Sequence, residues 1–230
     1  MTAMQSLDIQ DIAVRYPDLP AAVLHIPRLV VAAGDRVAIT GASGSGKSTF
    51  VNLVTGLERP KTGRVAWNGT DLAGYSESAR DRWRATNVGL VMQDFHLFPG
   101  LSALDNILLP ARLSGAATAV RTARAQNLLA QVGLGRPGQR IETMSRGEMQ
   151  RVAVARALLR SPGIIVADEP TASLDPESGA AVGRLLVDLA AAEGSTLIVV
   201  SHDPRLIALL DRRIDLAAGE IVADSDGDRS

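Results

Sequence analysis

The sequence contains no cysteine and very few aromatic residues. With a Cys count of 0, the chain cannot use disulfide bonds, thiolate metal ligands or a cysteine nucleophile. Phenylalanine, tyrosine and tryptophan together make up 3% of its 230 residues, whereas 46% of the residues are hydrophobic. The core must therefore be built mainly from alanine, valine, leucine and isoleucine, in a chain long enough for one domain or a core with a subdomain.

An excess of charge and long apolar runs are lacking as well. The formal net charge is -1, so we expect no nucleic-acid-binding surface and no polybasic membrane anchor. We see no signal peptide, because no basic segment followed by an apolar run opens the sequence, and no apolar run is long enough to span a membrane. We expect a soluble, cytoplasmic chain that needs another chain for membrane spans if it acts at a membrane.

The most informative segment that is present is a glycine-rich loop that fits the pattern G-x-x-x-x-G-K-[ST], the phosphate-binding P-loop. Its residues are Gly41, Ala42, Ser43, Gly44, Ser45, Gly46, Lys47, Ser48 and Thr49. A buried strand is predicted before it (36–40) and a helix after it (50–56), so backbone N–H groups and the helix dipole would face one anion. Lys47 would contact the β- and γ-phosphates and Ser48 would ligate Mg²⁺. The alternative, a flexible Gly/Ser loop, leaves the lysine and the flanking elements unexplained.

Patterning predicts strands alternating with helices around one long helical segment. Predicted strands are 7–14, 22–26, 64–67, 88–92, 163–167, 195–201, 214–216 and 220–222. Helices are predicted at 76–85, at 176–192 and from Ser145 through Arg160. A further helix starts at Ser102 and is ended or bent by Pro110, and another begins with Asp203-Pro204. The apolar stripe Ala125, Leu128, Leu129 and Val132 predicts one more helix. These elements imply an α/β fold with a largely parallel sheet and a ligand at the carboxyl ends of its strands.

Two carboxylates end the apolar strand before them. Asp168 and Glu169 are neighbours, so their side chains would point to opposite sides of the strand. Asp168 fits the role of Mg²⁺ ligand and Glu169 that of a general base. The alternative is a pair of acids that cap a loop, but a P-loop on the same sheet favours the functional interpretation.

Two further polar residues follow predicted strands. Gln93 lies where a contact to Mg²⁺ or to water is plausible, although glutamines are common in loops. His202 follows the strand at 195–201, and a lone histidine is more often structural than catalytic.

The segment Ser145-Arg146-Gly147-Glu148 taken alone is a capping box that opens a helix. In the chain, however, the P-loop, Gln93, this segment, Asp168-Glu169, Ser173-Leu174-Asp175 and His202 follow one another in a fixed order. That order resembles the nucleotide-binding subunits of ABC transporters over nearly the whole chain. The segment from Gln93 to Pro110 further resembles the group that serves lipoprotein release, macrolide export and bacterial cell division.

The resemblance implies the fold of an ABC-type P-loop NTPase, with a mostly parallel core sheet, an N-terminal antiparallel β part and a helical subdomain. Residues 1–94 and 161–230 would form the core and residues 95–160 the helical subdomain, while the polar composition of residues 224–230 predicts a frayed, disordered tail. The implied activity is hydrolysis of ATP with Mg²⁺ as cofactor. The implied partners are a multi-span membrane subunit and a second nucleotide-binding subunit, as a homodimer on the cytoplasmic face of the membrane, without nucleic acid.

The resemblance also implies a role for each matching residue. Lys47, Glu169 and His202 would be catalytic, Tyr16 would stack on adenine unless it simply packs, and Ser48, Gln93 and Asp168 would hold the metal. ATP would be contacted across the subunit interface by Ser145, Arg146, Gly147, Glu148 and Asp175. The family signature usually reads Leu-Ser-Gly-Gly-Gln, so Arg146 puts a long cation where the family has a bare backbone. We expect its N–H to face the phosphate and its side chain to lie outside that contact.

Other functions explain fewer of these residues. A soluble ABC-type ATPase of DNA repair or chromosome organisation usually carries a coiled coil or a zinc insert between the P-loop and the signature, and residues 47–145 contain neither heptads nor cysteine. A P-loop kinase or GTPase leaves Ser145–Gln150 and His202 unexplained.

Overall fold

The computed structural model describes residues 4–17 and 22–226, which form two β-sheets and the helices around them. The strands are β1 (Leu7–Val14), β2 (Leu24–Val31), β3 (Arg36–Thr40), β4 (Arg64–Trp67), β5 (Thr70–Asp71), β6 (Val88–Val91), β7 (Ile164–Asp168), β8 (Thr196–Val200), β9 (Arg212–Ala217) and β10 (Glu220–Asp224). The helices are α1 (Lys47–Val54), α2 (Glu77–Asn87), α3 (Ala103–Leu113), α4 (Ala119–Gln131), α5 (Arg146–Leu158), α6 (Pro176–Glu193) and α7 (Pro204–Ile207).

The smaller sheet is antiparallel and has the strand order β2-β1-β4-β5. Its strand β1 buries Leu7 and Ile9, then Ile12 and Val14, so the inward-facing positions shift by one residue. The shift occurs at Asp11, whose φ of 51° lies in the left-handed region. A local change of this kind moves the following side chains to the other face of a strand, and here it keeps both apolar pairs in the core.

The larger sheet has the order β10-β9-β3-β8-β7-β6 and is parallel except for its edge pair β9–β10. Its central strands are apolar on both faces. In β7, Ile165 and Ala167 pack toward the helical segment, whereas Ile164 and Val166 pack toward α1 and the antiparallel sheet. Coverage of both faces explains why the sequence shows continuous apolar runs here rather than alternation.

The helices between β6 and β7 pack on one face of this sheet. Apolar residues of α3, α4 and α5 join Val91, Leu197 and Val199 of the sheet in one buried cluster. The predicted stripe of α4 is buried, and Gly133 follows it with a φ of 73°. The division of the chain into a core and a separate helical subdomain stays a prediction. No helix in residues 4–17 and 22–226 is long and apolar enough to cross a membrane.

Several predicted boundaries were wrong; the second strand, for example, was predicted over 22–26 but runs from Leu24 to Val31. Pro110, predicted to end or bend α3, does not end it, because the helix continues to Leu113; α5 ends at Leu158 rather than at Arg160. The predicted tail began at Asp224, but this residue closes β10 and its carboxylate accepts two hydrogen bonds from Arg212, at 2.8 and 2.6 Å. An ion pair with good two-point geometry holds this end of the chain in the sheet. Residues 227–230 of the predicted tail lie outside the described residues.

Candidate active site

The glycine-rich loop runs from the carboxyl end of β3 to the first turn of α1, as predicted. Two of its glycines are required by close backbone approach. A Cβ at Gly41 would lie 2.2 Å from the carbonyl oxygen of Leu216, and one at Gly46 would lie 2.7 Å from that of Val23. The turn between β9 and β10 also supports the loop, because the Gly219 N–H donates to the Ser45 carbonyl at 3.2 Å. The loop is therefore held on one side by the residue before β2 and by the β9–β10 hairpin, while its other side stays open.

The first turn of α1 leaves its N–H groups available for an anion. The N-cap is Gly46, with a φ of 101° and no side-chain cap, and no acidic residue lies in the first turn. A helix N-terminus of this kind attracts phosphate through its free N–H groups and its dipole. Lys47 bends back over the loop, and its Nζ donates to the carbonyl groups of Gly41 and Ala42 at 2.7 and 2.8 Å. Its charge thus lies beside the place where the N–H groups converge.

Asp168 is the last residue of β7, at the carboxyl end of the sheet and close to the loop. Burial raises the pKa of its carboxyl above the ordinary value, the charge of Glu169 raises this pKa further, and the Lys47 ammonium opposes the rise. A carboxylate that is desolvated and lacks a strong counter-charge is a favourable ligand for a cation.

Glu169 and His202 form a pair at the same edge. Glu169 has a φ of 47°, which is unusual for a residue with a Cβ, and its N–H donates to the Val200 carbonyl at 2.8 Å. Nδ1 of His202 lies 3.0 Å from Oε1 and 2.9 Å from Oε2 of Glu169. The carboxylate is mostly buried, whereas the imidazole is 73% exposed. The glutamate is thus held in place, while the histidine is free to turn toward a ligand.

One cleft of about 520 Å³ brings the predicted residues together. Its lining comprises Val23, Gly41, Ala42, Ser43, Gly44, Gly46, Lys47, Ser48, Thr49, Gln93, Asp168, Glu169 and His202. Ser48, Gln93 and Asp168 place oxygen donors in it, which are the ligands that Mg²⁺ prefers, in a number that leaves positions for phosphate oxygens and water. Within the described ranges, no group of three or more His, Cys, Asp or Glu could hold a metal by itself. The residues fit a Mg²⁺ ion that is bound together with a nucleotide.

Sequence reasoning missed Val23, which lines the cleft just before β2. A single valine in a loop carries no motif, so no signal could have marked it. Tyr16 is half-buried near the cleft, where its hydroxyl donates to Oε2 of Glu58 at 3.0 Å. Burial is the largest cause of a raised pKa of this tyrosine. Its stacking on adenine stays a prediction.

The segment from Ser145 to Glu148 does not line the cleft. It forms the predicted capping box: Ser145 Oγ accepts from the Glu148 N–H at 3.2 Å, and the Glu148 carboxylate accepts from the Ser145 N–H at 2.8 Å. Asp175 likewise caps α6, with its carboxylate accepting from the N–H groups of Glu177 and Ser178. Their predicted contacts with a nucleotide would have to be made with another chain.

The side chain of Arg146 turns back onto its own chain. Its Nε donates to the Ser173 carbonyl at 2.8 Å, and its guanidinium carbon lies 5.3 Å from the centre of the Phe95 ring. Both contacts agree with the expectation that this side chain lies away from phosphate, although the contact with phosphate itself is a prediction.

A sequence model described as "ABC transporter" matches residues 24–172. The chain belongs to the ABC transporter family. It is 39% identical over 216 residues to the lipoprotein-releasing system ATP-binding protein LolD of Oleidesulfovibrio alaskensis, covering 93% of this chain and 94% of LolD. It is 43% identical over 226 residues to the macrolide export ATP-binding/permease protein MacB of Chromobacterium violaceum, covering 95% of this chain but 34% of MacB.

The fold of this ABC transporter family member is similar to a solved structure of the ATP-binding cassette MJ0796, a dimer in a post-hydrolysis state bound to ADP and Pi. The TM-score is 0.85 and the identity 32%, with 95% of this chain and 97% of the other covered. The predicted ABC-type fold and the resemblance to lipoprotein-release and macrolide-export proteins are confirmed. The chain is an ATP-binding and ATP-hydrolysing component of an ABC transporter, and the DNA-repair alternative is not favoured.

Proposed function

We propose that ATP binds in the cleft of one chain and that the signature turn (Ser145–Glu148) of a second copy completes the binding site. We further propose that closure of this dimer drives a membrane-spanning subunit. The observation that carries the proposal is that a single chain does not bring the two predicted parts of the ATP site together. The P-loop, Asp168, Glu169 and His202 line one cleft, whereas Ser145–Glu148 do not. The dimeric state of the similar MJ0796 cassette supports the proposal.

The roles within the cleft follow from position and charge. Lys47 and the N–H groups of the loop would bind the β- and γ-phosphates. Ser48, Gln93 and Asp168 would hold Mg²⁺, which when bound neutralises phosphate charge. Glu169 would accept a proton from the attacking water, because its carboxylate is fixed and mostly buried. His202 would be free to turn toward an arriving phosphate, because its imidazole is exposed.

The signature turn would contact the γ-phosphate of the partner's ATP. The capping box uses the Ser145 hydroxyl oxygen as an acceptor for the Glu148 N–H, which leaves its proton to donate to phosphate. The N–H groups of the first turn of α5 point the same way along the helix axis, so the dipole adds to the attraction. Phosphate would then bridge two chains, and its release after hydrolysis would let them part.

The segment after Gln93 is our candidate contact for the membrane subunit. Phe98 is 53% exposed, although large aromatic side chains usually avoid water. Its backbone is fixed by the buried Asn106, whose Oδ1 accepts from the Phe98 N–H at 2.7 Å and whose Nδ2 donates to the Phe98 carbonyl at 3.2 Å. A fixed loop that presents an aromatic side chain suits docking of an apolar partner surface. We propose a multi-span permease subunit as that partner, with this chain on the cytoplasmic face of its membrane.

Co-purification tests the partner. The chain would be expressed together with a candidate multi-span permease subunit, and the complex would be captured in detergent through a tag on this chain. We expect Phe98→Ala to reduce the captured partner severalfold. The control is Leu113→Ala, which removes another exposed apolar side chain, 79% exposed at the end of α3, and should leave capture unchanged. Equal capture by both variants and the unaltered chain would remove Phe98 from the docking surface.

A further inference from the structure

Side chains of helix α5 contact two loops. One is the segment Gln93–Phe95, which follows β6 and enters the cleft at Gln93. The other is Ser173–Asp175, which leads into α6. Gln150 of α5 is fully buried and donates to the Pro170 carbonyl at 2.7 Å, so the approach to the second loop is fixed independently of Arg146.

Phe95 contacts the same helix through both its backbone carbonyl and its ring. Its backbone has a φ of 55°, and its carbonyl accepts from Nη2 of Arg156 at 2.7 Å. Its ring, with only 7% of the residue exposed, lies 5.3 Å from the guanidinium carbon of Arg146. A guanidinium at this distance over an aromatic face is an attractive cation–π contact. The two arginines sit toward opposite ends of α5.

Arg146 makes its second contact with the other loop. Its Nε donates to the Ser173 carbonyl at 2.8 Å, a charge-assisted hydrogen bond. Gly147 next to it approaches Ser178 of α6 closely, because a Cβ at that position would lie 3.3 Å from the Ser178 side chain. One side chain in the first turn of α5 therefore touches both loops, and it does so where the family usually has a glycine.

We infer that Arg146 is a positioning residue that ties Gln93–Phe95 and Ser173–Asp175 to the signature turn, so that a movement of either loop is passed to that turn. The guanidinium contributes through distinct atoms, since Nε serves the Ser173 carbonyl and the charged plane serves the Phe95 ring. The inference depends on the proposed function only where it concerns the effect of this coupling in a dimer. The tie itself is a property of one nucleotide-free chain.

Two conservative variants separate the contacts. The amide nitrogen of glutamine occupies the same place along the side chain as Nε of arginine, so Arg146→Gln keeps the donor to Ser173 and removes the cation. Lysine has a carbon at that place and its ammonium one atom beyond it, so Arg146→Lys keeps a cation for the ring and removes the donor from the position of Nε. Arginine and lysine are not interchangeable where planar geometry matters.

The experiment is amide hydrogen exchange on the full nucleotide-free chain. We expect Arg146→Ala to speed exchange in 93–98 and in 171–176 by about tenfold, which corresponds to about 1.4 kcal/mol in local opening. Arg146→Gln should retain protection in 171–176 and lose it in 93–98, and Arg146→Lys should do the reverse. The control Arg184→Ala, at an exposed arginine of α6, should change neither segment.

The outcomes decide between a tie and a merely stabilising side chain. A general loss of stability would speed exchange across the chain and would affect the glutamine and lysine variants alike, which would overturn the inference. Unchanged exchange in both segments of folded Arg146→Ala would overturn it as well. Failure of ATP-dependent dimerisation would contradict the proposed function, but the exchange rates would remain a valid test of the inference about Arg146.

Discussion

Replacement of one glycine in the P-loop tests how the loop is supported. Gly46 and Gly44 both have left-handed backbones, with φ of 101° and 78°. Their surroundings differ: a Cβ at Gly46 would lie 2.7 Å from the Val23 carbonyl oxygen, whereas a Cβ at Gly44 would have no atom of the described chain within 4 Å apart from its own and the two adjacent residues. Gly46→Ala should therefore destabilise the chain much more than Gly44→Ala.

The magnitudes can be worked from these surroundings. A left-handed backbone costs an alanine about 1–2 kcal/mol, and loss of glycine's freedom in the unfolded chain offsets about 0.4–1 kcal/mol of that. Gly44→Ala should thus lower the free energy of unfolding by about 1 kcal/mol. At Gly46 the overlap with backbone adds about 1–3 kcal/mol, since β2 cannot move away freely, for a total of about 3 kcal/mol.

Urea unfolding of the nucleotide-free chains measures the difference, with the slopes compared to exclude a change in the denatured state. Working without nucleotide matters because both positions face the cleft, where a methyl group could also touch phosphate. Free energies of unfolding that agree within about 0.5 kcal/mol for the two variants would refute the argument that Val23 and the loop behind Gly46 are in rigid contact.

Three further changes probe the cleft and the signature turn. Lys47→Ala should abolish MgATP binding or turnover, because no other lysine or arginine of the described chain lines the cleft; unchanged hydrolysis would contradict the P-loop assignment. The pKa of Asp168 is raised in the folded chain, so the stability that its protonated form contributes is lost as the pH rises through that pKa. At pH 7, Asp168→Asn should therefore unfold at higher urea than the unaltered chain while turnover is lost, and a less stable variant would contradict the assigned burial. Ser145→Ala removes one half of the capping box and should lower the free energy of unfolding by about 1 kcal/mol, whereas an unaffected midpoint in urea would show that the cap contributes nothing.

Most elements were predictable because their signals are local. The capping box of α5, the proline after Asp175 and the glycine after α4 mark helix ends directly in the sequence. Strands β7 and β8 were recognisable as short apolar runs between polar ends. Where prediction failed, tertiary contacts decided. Packing of α3 against α4 and α5 carries the helix past Pro110, and the ion pair with Arg212 keeps Asp224 in a strand.

The candidate site was predictable in its members but not in its contacts. Motif order identified the residues that line the cleft, since the carboxyl ends of parallel strands bring them to one edge. The pairing of Glu169 with His202 depends on the left-handed turn after β7, which no sequence pattern indicates. The contacts of Arg146 with Phe95 and Ser173 join positions far apart in the chain, so only the folded structure could reveal them.

The central claim, a dimer closed by ATP, is tested most directly by sedimentation of Glu169→Gln with and without MgATP. Glutamine keeps the size of the side chain but cannot accept the proton, so this variant should bind ATP, hydrolyse it very slowly and accumulate as a dimer. Adding Ser145→Arg should return it to a monomer by crowding the phosphate. A Glu169→Gln chain that stays monomeric at saturating MgATP, even with its membrane partner present, would contradict the account.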